Sequence, residues 1–358
     1  MGNPMSRWPL SKRLMSKWCG VAAGLLCLHA AIGDAVAADL IRVGEGPFTT
    51  GGGFFIAREK GYFDEAGIAV ETRIFQDAAM AVPSMVSGEI DIAFTTPSAS
   101  FFNSVAKGAP IVIVLDRGHN RPGFGYDAIS VTQAAHEAGV KSLADLARLK
   151  GRKIGVGATG SLNQYVMARA LQSAGLDPRR DVQWVANIPQ PEIMKMLGQG
   201  QVDASELAYQ FALYAQQNGW GPILAVADAV EPDGQIATYA VRRDFLDGRR
   251  DVLVRFATAY LRGVKEFNAA ARAPDRYPDV LQILARNTLL NKPELLRGMA
   301  PNWSYVAEDG MPRMDSILAM QDYWADYFAY VGTKVPAERL FDPSIAREAR
   351  SRLAAATK

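Results

Sequence analysis

Cysteine, histidine, long apolar runs and a net charge are what this sequence lacks. Of its 358 residues only two are cysteine, Cys19 and Cys27, and only three are histidine. Both cysteines lie within residues 1–37, so the chain beyond has none. That excludes disulfides, a cysteine nucleophile and thiolate metal sites there. His119 and His136 are the histidines that remain, too few for a convincing zinc site. The longest apolar run, residues 18–32, is fifteen residues, shorter than the ~20 that span a bilayer. The formal charge of +2 is also a property of the first residues. Arg7, Lys12, Arg13, Lys17 and Asp34 lie there, which leaves 35 basic against 36 acidic residues and a net charge of −1. A nucleic-acid partner has no electrostatic support in such a chain.

What is present is ordinary globular composition, 49% hydrophobic and 21% charged. It excludes a disordered chain and a collagen-like one, and the length fits roughly two domains. Residues 1–37 read as a secretory signal: a basic start, the apolar run, and Ala35-Val36-Ala37 as a small-x-small cleavage site. Trp18 and Leu26 precede the two cysteines, where a lipoprotein signal has a small residue. The expectation is a soluble exported protein of the periplasm, cleaved near Ala37.

Self-comparison then finds a repeat. Ile41-Arg42-Val43-Gly44 matches Ile154-Gly155-Val156-Gly157, 113 residues on, and residues 70–75 match 182–187. Gly88-Glu89-Ile90-Asp91 matches Gly200-Gln201-Val202-Asp203, and residues 111–115 match 223–227, each 112 on. Helical stretches lie between the four strands: 54–60, 78–87 and 99–106 in the first copy, 163–174, 191–199 and 208–217 in the second. Short apolar strands alternating with helices predict an α/β protein with two parallel-sheet lobes. The β-prone runs 126–131 and 236–241 are expected to be two hinge strands joining the lobes. Beyond residue 241 the sequence is strongly helical and is expected to pack on the first lobe. The expected lobes are 38–127 with 241–358, and 128–240.

In parallel α/β sheets a ligand sits beyond the carboxyl ends of the strands, which selects the loops to inspect. Phe48-Thr49-Thr50-Gly51-Gly52-Gly53 follows the first strand, and its glycines either admit a ligand to the backbone or serve a turn. Thr95, Thr96 and Ser98 follow the third strand, and Thr159, Gly160 and Ser161 hold the matching place in the second copy. Each hydroxyl is either a ligand contact or a helix cap. Glu206, Tyr209 and Gln210 follow the second copy's third strand, Glu206 being either a ligand carboxylate or a solvated helix-start acid. Arg117, His119 and Arg121 either supply a cation to an anionic ligand or form an exposed basic loop. Trp303 and Tyr305 either wall the cleft or anchor the core. Gly155-x-Gly157-x-x-Gly160 copies the dinucleotide fingerprint, but the next strand ends on Ala186-Asn187 without the required acid. No cofactor is expected.

The run Gly52-Gly53-Phe54-Phe55-Ile56-Ala57-Arg58-Glu59-Lys60-Gly61-Tyr62-Phe63-Asp64-Glu65-Ala66-Gly67 resembles the signature of the nitrate/sulfonate/taurine group of ABC-transporter substrate-binding proteins. That group includes the thiamine-precursor (NMT1/THI5-like) proteins. The Gly-x-hydrophobic-Asp segments at 88–91 and 200–203 resemble its paired lobe motifs. The resemblance covers about residues 40–240. It implies a two-lobed periplasmic-binding fold of type II, with site loops at 48–53, 95–98, 159–161 and 206–209. Many relatives carry a Trp- and Pro-bearing motif after the second Asp-Ala, where this chain has Ser205-Glu206-Leu207-Ala208-Tyr209. That departure blocks transfer of a known ligand.

The function expected is capture of a small organic solute by hinge closure and its delivery, as a monomer, to an inner-membrane ABC permease. Loop hydroxyls favour an anionic solute, sulfonate- or carboxylate-like, with a nitrogenous one as the other choice. Two alternatives stand beside it: an exported enzyme using Glu206 with His119 as acid and base, and a ligand-binding subunit of a membrane sensor.

Overall fold

The computed structural model describes residues 38–76 and 78–356, so the expected signal at residues 1–37 lies outside the described residues. No helix among the described residues is long and apolar enough to cross a membrane. Among the described residues ten strands form two five-stranded sheets. The first copy of the repeat supplies β1 (Asp39–Glu45), β2 (Ile68–Ile74), β3 (Ile92–Thr95) and β4 (Ile111–His119). Next come β5 (Asp127–Val131) and the second copy: β6 (Lys153–Gly155), β7 (Gln183–Val185), β8 (Ala204–Ala208) and β9 (Ile223–Val226). The last strand is β10 (Gln235–Arg242).

Strand order runs β2-β1-β3-β10-β4 in one sheet and β7-β6-β8-β5-β9 in the other. The two orders are the same once the copies are superposed, so the repeat seen in sequence is a repeat of topology. Asp91 and Asp203 give its chemistry. The Asp91 carboxylate accepts from the Arg42 N–H at 2.9 Å, and the Asp91 N–H donates to the Arg42 carbonyl at 2.8 Å. Asp203 makes the same two bonds to Lys153, at 2.9 and 2.8 Å. Each aspartate therefore locks the start of the third strand of its lobe to the first strand.

Both sheets are mixed rather than purely parallel. The expected hinge strands are interior strands: β10 pairs antiparallel between β3 and β4, and β5 antiparallel between β8 and β9. A chain that crosses from one lobe to the other enters the new sheet against the direction of its resident strands. The crossings themselves are the short links 120–126 and 227–234. Residues 235–240, expected in the second lobe, thus belong to the first sheet.

The helical block after β10 behaves as expected in part. The helix Arg250–Arg272 packs on Gly52–Glu59, and Phe54, Phe63, Phe256 and Tyr260 are buried together. Further on comes a π-helical turn, Tyr323–Tyr327, whose Trp324 is buried in the main core. Tyr323 meets Tyr165 of the second lobe edge-on at 5.1 Å, and its hydroxyl donates to Gln172 at 2.9 Å. The Tyr330 carbonyl accepts from Asn103 of the first lobe at 2.8 Å. The C-terminal aromatic segment is therefore fastened to both lobes.

Candidate site between the two sheets

The carboxyl ends of β1, β3, β6 and β8 carry the loops singled out in the sequence. The lobes meet there: the Ala99 N–H donates to the Gly160 carbonyl at 2.9 Å. Nearby, Tyr126 and Ala208 of the second lobe pack on Ile236 and Ala237 of the first sheet.

Most of the first lobe's expected ligand groups are engaged by the protein itself. Thr49 is buried and donates its hydroxyl to the Trp303 carbonyl at 3.1 Å. Thr95 is 1% exposed and pairs its hydroxyl with that of Thr238 at 2.8 Å. Gly52 serves helix packing, since a Cβ there would come within 2.3 Å of the Phe267 ring. Trp303 is a correction: it is fully buried against Phe267 and donates its indole N–H to the Leu296 carbonyl at 2.8 Å, so it walls no cleft. Phe48, half-buried, leans on Phe94 with ring centroids 6.2 Å apart. Thr96 and Ser98 are half-buried and, with Thr95, line a cavity of about 110 Å³ closed by Val82 and Phe101, all within the first lobe. Ser98 also caps the helix Ala99–Ala106 by accepting from the Phe101 N–H.

The basic trio resolves into three roles. Arg117 is 1% exposed and pairs with Glu45, which also accepts from the Tyr239 hydroxyl; a second Arg117 nitrogen donates to Thr50 at 2.6 Å. His119 pairs through Nδ1 with Asp116 at 2.8 Å. Arg121 is exposed and lies over the Tyr305 ring at 4.6 Å. The acid–base pair of the enzyme alternative is not formed: His119 pairs with Asp116 and Glu206 accepts from Asn163.

In the second lobe, Thr159 is exposed, Gly160 donates to Gln164 at 2.7 Å, and Ser161 caps the helix Leu162–Ser173 by accepting from the Gln164 N–H. Tyr209 opens the helix Tyr209–Gln217 and donates its N–H to the Tyr126 carbonyl at 2.8 Å. Glu206 is not the solvated helix-start acid considered above. It lies inside β8 and is fully buried. Its Oε2 accepts from Asn163, whose Oδ1 accepts from Gln190, and Gln190 in turn accepts from the Ala208 N–H at 2.8 Å.

Sequence reasoning missed Glu206's companion. Asp127 opens β5, 2% exposed, across the strand pair from Ala208, while Ile129 stands across from Glu206. Residues directly opposite share a face, so the two carboxylates are diagonal neighbours on one face of the sheet. Burial pushes Asp127 up from 3.8 to about 7. Burial, and then the charge of Asp127, raise Glu206 well above the usual carboxylate range. The signal available in the sequence was an acid placed inside each of two short apolar runs, 126–131 and 204–208.

Comparisons with known proteins agree with this architecture. The model of the NMT1/THI5-like family matches residues 49–275. A Brucella abortus protein, whose name gives it provisionally as a binding protein, is 26% identical over 216 residues, 60% of this chain and 62% of its own length. This chain thus matches about three fifths of the length of that curated relative. Two solved structures share the fold. The periplasmic nitrate-binding protein of Synechocystis has a TM-score of 0.71 at 14% identity, covering 88% of this chain and 89% of its own. The zinc-bound ligand-binding component of an ABC-type import system from Staphylococcus aureus has a TM-score of 0.70 at 17% identity, covering 87% and 99%. Among the described residues, no group of three or more His, Cys, Asp or Glu is placed to hold a metal ion.

Proposed function

Because the chain belongs to the NMT1/THI5-like family, we propose that it is a periplasmic solute-binding protein that captures a small organic molecule between its lobes and delivers it to an inner-membrane ABC permease. The observation that carries this reading is the pairing of two sheets of identical strand order, joined by two short crossings, with their loop-bearing ends meeting at Ala99 and Gly160. Such a pair closes on a ligand by a change at the two links, 120–126 and 227–234, and the ligand shifts the open–closed population by preferring the closed state. The aromatic segment 323–330 joins both lobes and limits how far they part. Lobe boundaries at these two links fit the sheets better than residues 127 and 240 do.

The acid–base alternative has no hydrogen bond between its two groups, since His119 pairs with Asp116 and Glu206 accepts from Asn163. Support for an anionic ligand is also weaker than the loop composition led us to expect, because Thr49, Thr50 and Thr95 direct their hydroxyls to protein partners.

The test is native mass spectrometry of the purified protein for a co-purified solute, followed by thermal-shift measurements with the solute found. A stoichiometric small molecule whose addition raises the melting temperature supports capture. A folded protein that carries no solute and responds to no sulfonate, carboxylate, nitrate, amine or pyrimidine sinks it.

A further inference from the structure

We propose that Asp127 and Glu206 form the recognition site for a cationic nitrogen of the ligand, an ammonium or amidinium group, so that the solute is a base rather than an anion. The proposal deepens the solute-capture reading and rests on it.

Its ground is a set of buried acceptors without donors. Glu206 is fully buried and its Oε1 has no hydrogen-bond partner. Asp127 is 2% exposed, and no hydrogen bond or ion pair reaches its carboxylate among the described residues. On the helix Tyr209–Gln217, which follows β8 directly, the buried Oε1 of Gln210 is likewise unpartnered, its side chain being turned to the Tyr126 hydroxyl. A buried carboxylate left without a charge or donor partner destabilises the protein that carries it. Such a set is retained where something else supplies the donors, and functional sites are where that strain collects. Among the described residues no arginine or lysine does so here. Arg117 is paired with Glu45, and Asn163 supplies one donor to the opposite oxygen of Glu206.

Place and polarity agree. Glu206 lies near the carboxyl end of β8, and Asp127 begins β5 just after the 120–126 crossing. Asp127 stands across from Ala208 at the carboxyl end of β8, and Glu206, one pleat back, is bonded by Asn163, three residues beyond the Gly160 that touches Ala99. An anion there would meet two carboxylates and a carbonyl oxygen. A protonated amine or amidine would give each of them a charge-assisted hydrogen bond.

The groups that face the pair are Tyr126 beside Asp127, Asn163 from the helix Leu162–Ser173, and Gln210; Arg117 of the first sheet acts on Tyr126 from further off. Burial raises both acids, and Asp127, pushed up to about 7, is partly protonated at neutral pH. A cation that binds them displaces a proton, so its affinity rises with pH across the neutral range.

Isothermal titration calorimetry tests this with agmatine and benzamidine as cationic probes and with sodium nitrate and sodium ethanesulfonate as anionic ones. The expected result is that a cationic probe binds, more tightly at pH 8 than at pH 6. Glu206→Gln and Asp127→Asn should each weaken it at least tenfold while leaving the melting temperature of the free protein unchanged or higher. Binding of an anion with no response to either cation would overturn the assignment and leave solute capture standing. Silence from all four probes would also overturn it, and the co-purified solute would then decide capture separately. A Glu206→Gln protein that melts several degrees lower, yet binds the cation as before, would make Glu206 structural and equally end the proposal.

Discussion

The backbone N–H of Ala99, in the first lobe, donates to the carbonyl of Gly160, in the second, at 2.9 Å, and a Cβ at Gly160 would lie 2.6 Å from that of Ala99. Gly160 also has φ +73°, in the left-handed region. Gly160→Ala should therefore push the lobes apart as well as strain the loop, at about 1–2 kcal/mol. Small-angle scattering should report a larger radius of gyration for the variant, and an unchanged radius would show that this contact does not set the lobe spacing.

Two threonines that look alike in sequence should separate on mutation. Thr95→Ala removes half of a buried hydroxyl pair and strands Thr238, which should cost about 1–3 kcal/mol in urea unfolding. Thr159 is exposed, so Thr159→Ala should stay within about 0.5 kcal/mol of the parent. Equal losses at the two positions would contradict the burial assigned here.

Arg117 and Glu45 form a buried ion pair with Tyr239 and Thr50. Arg117→Met leaves Glu45 buried beside no cation and should lower stability by about 3–5 kcal/mol. Adding Glu45→Gln should restore a large part of that loss. A double variant as unstable as the single one would mean that packing, not charge, holds this region.

Asp127 predicts a pH dependence of opposite sign to the usual carboxylate. Its pKa in the folded protein is raised from 3.8 to about 7 by burial, so between these values the folded state binds more protons than the unfolded one. Its contribution to stability is present below about pH 4 and is lost as pH rises to about 7. Glu206, shifted the same way, extends the loss upward. Relative to the parent, Asp127→Asn should gain stability steadily across that window, by at most about 1.4 kcal/mol per pH unit. Thermal unfolding at a series of pH values measures it, and parallel curves for the two proteins would refute the shift.

Trp303→Ala should cost about 3–5 kcal/mol, because it empties a fully buried site and removes the bond to Leu296. Trp303→Phe keeps most of the packing and should leave ligand affinity unaltered. A selective loss of affinity in Trp303→Phe would return this residue to the cleft wall.

The repeat, the order of strands and helices, and the family resemblance were readable in the sequence because they rest on local patterns. Short runs of three to nine residues make strands, and Asp91 and Asp203 recur because each holds two neighbouring strands in register. What each loop side chain does was not readable. Thr49, Gly52 and Trp303 look like site residues by position, yet Thr49 bonds Trp303 and Gly52 packs on Phe267, contacts between segments more than 200 residues apart, while Trp303 is buried against Phe267 and Leu296. The pairing of Asp127 with Glu206 is of the same kind. It exists because a strand arriving from the other lobe runs antiparallel beside β8, which sets two distant acids diagonally on one buried face. Local chemistry fixed the elements of this protein, and only the packing of distant segments decided which polar groups were left unsatisfied.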